Sequence, residues 1–195
     1  IRMFSDDSVG APLRQQIFRR IWLASLLSNF GSLIQGVGAA WAMTQMTTSA
    51  DMVALVQTAS MLPIMLISIP AGAIADMYDR RVVGLIALAL TLGGSIALSA
   101  LAYLGFLNPQ NLLLFCFIIG SGMALFGPAW QSSVNEQVPP KELPAAFPLN
   151  SISYNIPRSF GPAIGGIIVA AAGSKMAFTV HALSFLPLLS LFHIL

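Results

Sequence analysis

Apolar residues in this chain come in long blocks separated by short polar connectors. Six blocks stand out, at about Ile21–Met46, Met52–Ala75, Val82–Leu104, Leu112–Val134, Ala145–Gly173 and Lys175–Leu195. Each is near or above the roughly 20 residues an α-helix needs to cross a hydrocarbon core of about 30 Å. The pattern predicts an all-α membrane protein of six transmembrane helices, residues 21–195, behind a polar lead-in, residues 1–20.

The connector Gly72–Arg81, GAIADMYDRR, holds four charges in six residues. It is too short for the third helix to do anything but turn back. A transmembrane hairpin with a charge cluster at one membrane face is therefore expected. Gly72, Asp76 and Arg80 recur at four-residue steps, which places them on one side of a helix end and its turn. Gly72 would let another helix approach. Asp76 and Arg80 can pair with each other or with a neighbouring helix terminus. The plainer reading is a solvated turn obeying the positive-inside rule.

Composition sharpens the class. Hydrophobic residues make up 56%, charged residues 8%, and the mean hydropathy is +0.81. Soluble domains carry about 25% charged residues, so this chain cannot cover itself with a water-facing surface. The net charge of +2 is too small to suggest nucleic acid. A lone cysteine, Cys116, excludes an internal disulfide and an all-cysteine metal cage. The lead-in carries Arg2, Asp6, Asp7, Arg14, Arg19 and Arg20, but the block behind it is too long for a signal peptide and lacks a small-residue cleavage site. It reads as a cytoplasmic or interfacial segment before an uncleaved first span. Arg2, Arg14, Arg19, Arg20, Arg80, Arg81 and Lys141 fall on one side of the alternating spans and Lys175 alone on the other. That bias predicts cytoplasmic termini.

Candidate chemistry lies along the helices. Helix one carries Ser25, Ser28, Ser32 and Gln35 as a polar stripe with Asn29 beside it, and Gly31, Gly36 and Gly38 for close packing. Such a stripe faces protein or water rather than lipid, so interhelical bonding and a lined pathway both stay open. Helix two carries Gln57, Ser60, Pro63 and Pro70; helix three, Gly93 and Gly94; helix four, a small-residue face of Gly120, Ala124 and Pro128. On helix five, Ser151, Tyr154, Asn155, Arg158, Gly161 and Gly165 are expected on one face. Arg158 lies inside this span, and an arginine costs about 2.5–3.5 kcal/mol at the centre if unpaired. Snorkelling to the interface is the alternative to a cavity-facing role. His181 and His193 of helix six read as packing residues. No nucleophile or metal constellation stands out, so neither an enzyme nor a cofactor is expected. Asn29, Gln35, Gln57, Asn155 and Arg158 are the cavity candidates, chosen as polar residues at plausible depth.

GAIADMYDRR resembles the signature loop between helices two and three of the major facilitator superfamily, G-x-x-x-D-x-x-x-R-R, at Gly72, Asp76, Arg80 and Arg81. Met77 stands where a basic residue is common and Asp79 where a glycine is common. The acidic-Arg-Arg ending is similar to the drug-exporter branch that includes the enterobactin and macrolide exporters, and SNFGSLIQGVGAAW resembles that branch's first helix. GPAIGG, with Gly161, Pro162, Gly165 and Gly166, resembles the fifth-helix G-P-x-x-G-G signature of exporters. Cys116 occupies the helix-four position where members often place an arginine, which weakens any claim to the usual proton-coupling residue.

The resemblance implies two inverted three-helix repeats forming the N-terminal half of a twelve-helix transporter. It implies a secondary exporter, an antiporter of small amphipathic molecules (drug- or siderophore-like), in the bacterial inner membrane. A complementary C-terminal six-helix half would be the partner, and protons the candidate coupling ion. Asp76 would bind the N-terminal end of a helix in the other half and hold the outward-open state. The alternative is a membrane interaction module or truncated fragment that transports nothing alone.

Overall fold

The structure, a computed structural model, describes residues 10–193. Six long helices follow one another: α1 Gln16–Met46, α2 Ala50–Met77, α3 Arg80–Leu104, α4 Pro109–Gln137, α5 Leu143–Ala172 and α6 Ser174–Phe192. Two short 3-10 turns, Ala11–Arg14 and Pro140–Glu142, precede α1 and α5. The described residues contain no strand. Fold class and helix order match the sequence expectation.

Local chemistry sets the ends. Asp79 caps α3 by accepting from the Arg81 backbone N–H at 2.8 Å, and Asn108 caps α4 by accepting from that of Asn111 at 2.8 Å. Gly105 and Gly173, at φ 75° and 81°, stop α3 and α5 in a backbone region that disfavours a Cβ. Gly173 thus lies outside the fifth helix, which stops at Ala172, one residue before the expected end. The first helix starts at Gln16 rather than Ile21, so the expected lead-in is partly helical. Phe18 explains this: it is fully buried among Val134, Val138, Ala146 and Leu149, while Arg19 and Arg20 stay exposed. The part of the lead-in before residue 10, and Ile194 and Leu195, lie outside the described residues.

The packing carries an internal symmetry. α1 packs mainly on α6 and α5; α4 packs mainly on α3 and α2; α3 and α6 meet each other. Exchanging α1 with α4, α2 with α5 and α3 with α6 reproduces the main contacts, as expected of two three-helix repeats. The expected chain reversal between α2 and α3 is present, but its arms do not pair. α2 and α3 turn back at Tyr78–Asp79 but scarcely touch, because each finds a better partner in α4. Glycines make that possible. A Cβ on Gly120 would run into the Ser60 backbone of α2, and one on Gly122 would lie 2.8 Å from the Ala87 carbonyl of α3.

The interior divides along the bundle. One apolar cluster holds Ile21, Leu88, Phe126, Phe185 and Phe192, and another holds Met43, Leu98, Leu112, Ile119 and Phe178. His181 is fully buried on α6, edge-on to Phe185 at 4.9 Å, and shares a 2.5 Å hydrogen bond with Ser95 of α3 through Nδ1. It is a hydrogen-bonded packing residue, as its isolation in the sequence suggested. Outside, large apolar side chains are exposed along the spans, including Met65, Leu66 and Ile69 of α2 and Phe160 and Ile167 of α5. In water this surface would be untenable; against lipid or a second bundle it is expected. α2, α3, α4 and α6 are long and apolar enough to cross a membrane. α1 and α5 are as long but fall short in apolarity, and these two carry the polar stripes and pack together.

Candidate functional site

Two regions gather the sequence candidates: a charged girdle at one end of the bundle and the open side of α5 with its neighbour α1.

At the girdle, consecutive arginines at the start of α3 reach two different helix ends. The Arg80 guanidinium donates to the Ser132 carbonyl at 3.3 Å and pairs with Glu136 at 3.3 Å, both in the last turns of α4. Arg81 donates to the His193 carbonyl at the end of α6. Helix C-termini carry unsatisfied carbonyls and partial negative charge, so cations fit there. Of the two expected partners for Arg80, the neighbouring helix terminus is the one found. Asp76 does not pair with Arg80; it is exposed beside Tyr78 and Glu136 and makes no ion pair among the described residues. Asp79, standing where a glycine is common, earns its place as the α3 cap. Gly72 has no atom within 4 Å of where a Cβ would sit, so within this chain it admits no close neighbour. With Phe18 tying the start of α1 to the end of α4, the arginine-bearing termini collect at one end of the bundle.

The second region begins with a proline. Pro157 lacks an N–H for the Ser153 carbonyl one turn back. Asn29 of α1 supplies the missing donor through Nδ2 at 2.9 Å, and nearby the Trp22 ring N–H reaches the Leu149 carbonyl at 2.7 Å. Ser153, Pro157, Gly161 and Gly165 are buried along one seam; a Cβ on Gly165 would lie 3.2 Å from Ile34 and Val37 of α1. The expected six-residue face therefore splits. Gly161 and Gly165 belong to the α1 contact, whereas Ser151, Tyr154, Asn155 and Arg158 are exposed.

Arg158 lies near the middle of its helix. With α5 starting at Leu143, it is the sixteenth of thirty helical residues, about 21 Å from either end. Its guanidinium stacks on the Tyr154 ring at 4.7 Å from the centroid, and no carboxylate pairs with it among the described residues. Asn155 turns its Nδ2 back to the Ser151 carbonyl at 2.8 Å.

The other cavity candidates part company. Gln57 of α2 is exposed. Gln35 is buried and directs Nε2 at Cys116 Sγ across the α1–α4 contact at 3.8 Å, and Ser25 and Ser28 are buried too. Much of the helix-one stripe therefore serves interhelical contact. Gly36 and Gly166 open onto space, and Pro162 is exposed. Missed by sequence reasoning was Glu136, because its partner is 56 residues away. Among the described residues no group of three or more His, Cys, Asp or Glu side chains could hold a metal ion.

Comparison with known proteins gives a consistent neighbourhood. The family model described as transmembrane secretion effector matches residues 7–194. The multidrug efflux pump Tap of Mycobacterium tuberculosis is 28% identical over 171 residues, 85% of this chain and 41% of that protein. The staphyloferrin A transporter of Staphylococcus aureus is 27% identical over 163 residues, covering 83% and 41%. An uncharacterized MFS-type transporter of Bacillus subtilis is 28% identical over 127 residues. The chain thus spans about two fifths of the length of the first two relatives. No solved structure matches it significantly.

Proposed function

Because the chain belongs to the transmembrane secretion effector family of the major facilitator superfamily, we propose that it is the N-terminal half of a secondary active exporter. It works by alternating access, in the inner membrane of a bacterium, with both termini cytoplasmic. Its cargo is a small amphipathic molecule, in keeping with relatives named for multidrug efflux and for staphyloferrin A.

One observation carries the reading. Tyr154, Asn155 and Arg158 form an exposed polar patch at the middle of α5, where a lipid-facing charge is costly. Such a patch calls for a second bundle across an aqueous cavity, which a complementary C-terminal six-helix half provides. Gln57 contributes to the cavity from the open side of α2. Asn29 and Gln35 hold the cavity wall in shape through their bonds to α5 and α4. Gly161 and Gly165 lock α5 on α1, and Pro162 and Gly166 leave its outer ridge low.

The girdle supplies the conformational gate. Arg80 and Arg81 tie α3 to the ends of α4 and α6, which rigidifies one end of the half as a unit. Asp76 and Gly72, unpartnered at the surface, are left to meet a helix end of the other half and hold one state closed. Protons are the coupling ion we favour.

Efflux measured in everted vesicles tests the proposal. The chain joined to its complementary half should export, and the chain alone should not. Export by the isolated chain, or none by the joined pair at normal membrane levels, would defeat it.

A further inference from the structure

Between α1 and α5 lies an open apolar groove of about 490 Å³, walled by Val37, Ala40 and Trp41 on one side and Gly166 and Val169 on the other. The site described above uses only its Gly166 edge. Its size lies within the range of small-molecule sites. It also lies in line with a charge. Arg158, Pro162, Gly166 and Ala170 follow one another at four-residue steps, and all are exposed. The groove at Gly166 therefore opens about 12 Å along α5 from Arg158, on one continuous ridge.

We infer that this ridge binds a small amphiphilic anion lengthwise, its carboxylate-type head on Arg158 and its apolar body in the groove beside Trp41. Charge complementarity identifies the head. Tyr154 covers one face of the guanidinium at 4.7 Å, which leaves the in-plane N–H groups free to fork onto an oxyanion. No carboxylate of the described residues takes them. Depth identifies the source. Arg158 sits midway along α5, about 21 Å from either helix end, whereas phospholipid headgroups lie outside a hydrocarbon core of about 30 Å, so the anion is assigned to a molecule carried into the bundle. The groove fixes the orientation, since its walls offer an apolar body almost nothing polar to desolvate. A missing Cβ keeps its α5 wall low: Gly166 has no neighbour within 4 Å of a built Cβ.

This inference rests on the transporter reading, and the two can fail separately. The probe is dansylaminoundecanoate, compared with its methyl ester, which keeps the apolar body and removes the charge. Binding is followed by fluorescence on the full-length transporter in phosphatidylcholine nanodiscs. Arg158→Gln should weaken the acid about tenfold or more, as expected for hydrogen bonds to a charged group, and leave the ester unchanged. Arg158→Lys, which keeps the charge but loses the fork, should also weaken the acid. Gly166→Leu, which fills the groove without meeting backbone, should weaken acid and ester alike. Thermal unfolding of each variant in the same nanodiscs shows that the fold is intact. An acid affinity indifferent to Arg158→Gln, or an equal loss for the ester, would overturn the proposal. So would displacement of the dye by phosphatidylglycerol added to the nanodisc, which would give the site to lipid. Binding that obeys these rules without uptake of the dye into energised everted vesicles would support the site and overturn only the transporter reading. Uptake that ignores Arg158 would do the reverse.

Discussion

Asn29 of α1 donates to the Ser153 carbonyl of α5 at 2.9 Å, and that carbonyl is the one Pro157 deprives of its helical donor. A polar residue singled out for its depth in the membrane is thus bound to a backbone defect on the next helix. Inside a bilayer no water reaches such a carbonyl cheaply, so a neighbouring helix must supply the bond. The pair explains why α1 and α5 stay in register although neither is as apolar as the other spans.

Asn29→Ala should lower stability in detergent by about 1 kcal/mol, the usual net worth of such a bond in membranes. In a Pro157→Ala background the carbonyl regains an N–H from its own helix. The same Asn29→Ala change should then cost clearly less. A double-mutant cycle on unfolding midpoints measures the difference. Zero coupling would detach Asn29 from the proline and reopen a purely cavity-lining role for it.

The glycines divide sharply by surroundings, and their effects should divide with them. Gly120→Ala would drive a Cβ into the Ser60 backbone of α2, which cannot swing aside as a side chain can. Overpacking of this kind costs typically about 1–3 kcal/mol. Gly93 of α3 has nothing within 4 Å, so Gly93→Ala should gain roughly 0.5–1 kcal/mol from helix propensity. Thermal unfolding of both variants in one detergent checks the opposite signs. Equal effects would mean that the α2–α4 approach at Gly120 is looser than its geometry states.

Much of this was legible in the sequence. The apolar blocks gave the helices because span length is a property of each segment alone. The G-x-x-x-D-x-x-x-R-R loop gave the family for a similar reason, being contiguous. What the sequence hid was pairing at a distance. Glu136 is reached by Arg80, Ser95 by His181 and Ser153 by Asn29, and no local pattern announces any of them. The loose contact between the hairpin's arms was hidden because connector length fixes chain reversal but not which helix faces pack. The six-residue face of α5 split because a seam repeating every four residues drifts across a helix that turns every 3.6.

At the girdle, Arg80 has its partner within this chain and Asp76 has none among the described residues, so their substitutions should differ in kind. Asp76→Asn should cut efflux by the full transporter while leaving membrane insertion and thermal stability of this half unchanged, since no contact here is lost. Glu136→Gln removes the charge that Arg80 meets, and it should loosen the α3–α4 end as well as slow transport. Proteolysis near Tyr78 reads the loosening; vesicle efflux reads the transport. Normal efflux by well-expressed Asp76→Asn protein would strip Asp76 of any gating role.

The last prediction concerns which side of α5 meets water. Cys116 is the chain's lone cysteine, buried in the contact between α1 and α4 beside Gln35. A small charged thiol reagent should leave it unmodified in the folded transporter, and Cys116→Ser keeps an acceptor for Gln35 while clearing the background. In that background Asn155→Cys should react readily, because Asn155 is exposed and shares its patch with Arg158. Ile167→Cys supplies the comparison: it is exposed on the same helix but carries an apolar side chain on a different row. If the polar patch faces an aqueous cavity and the apolar row faces lipid, a membrane-impermeant reagent should label the first much faster than the second. Transported substrate should slow labelling of Asn155→Cys alone. Equal rates at the two positions, unaffected by substrate, would mean that exposure on α5 has no sidedness, and the cavity would have to be sought on another helix.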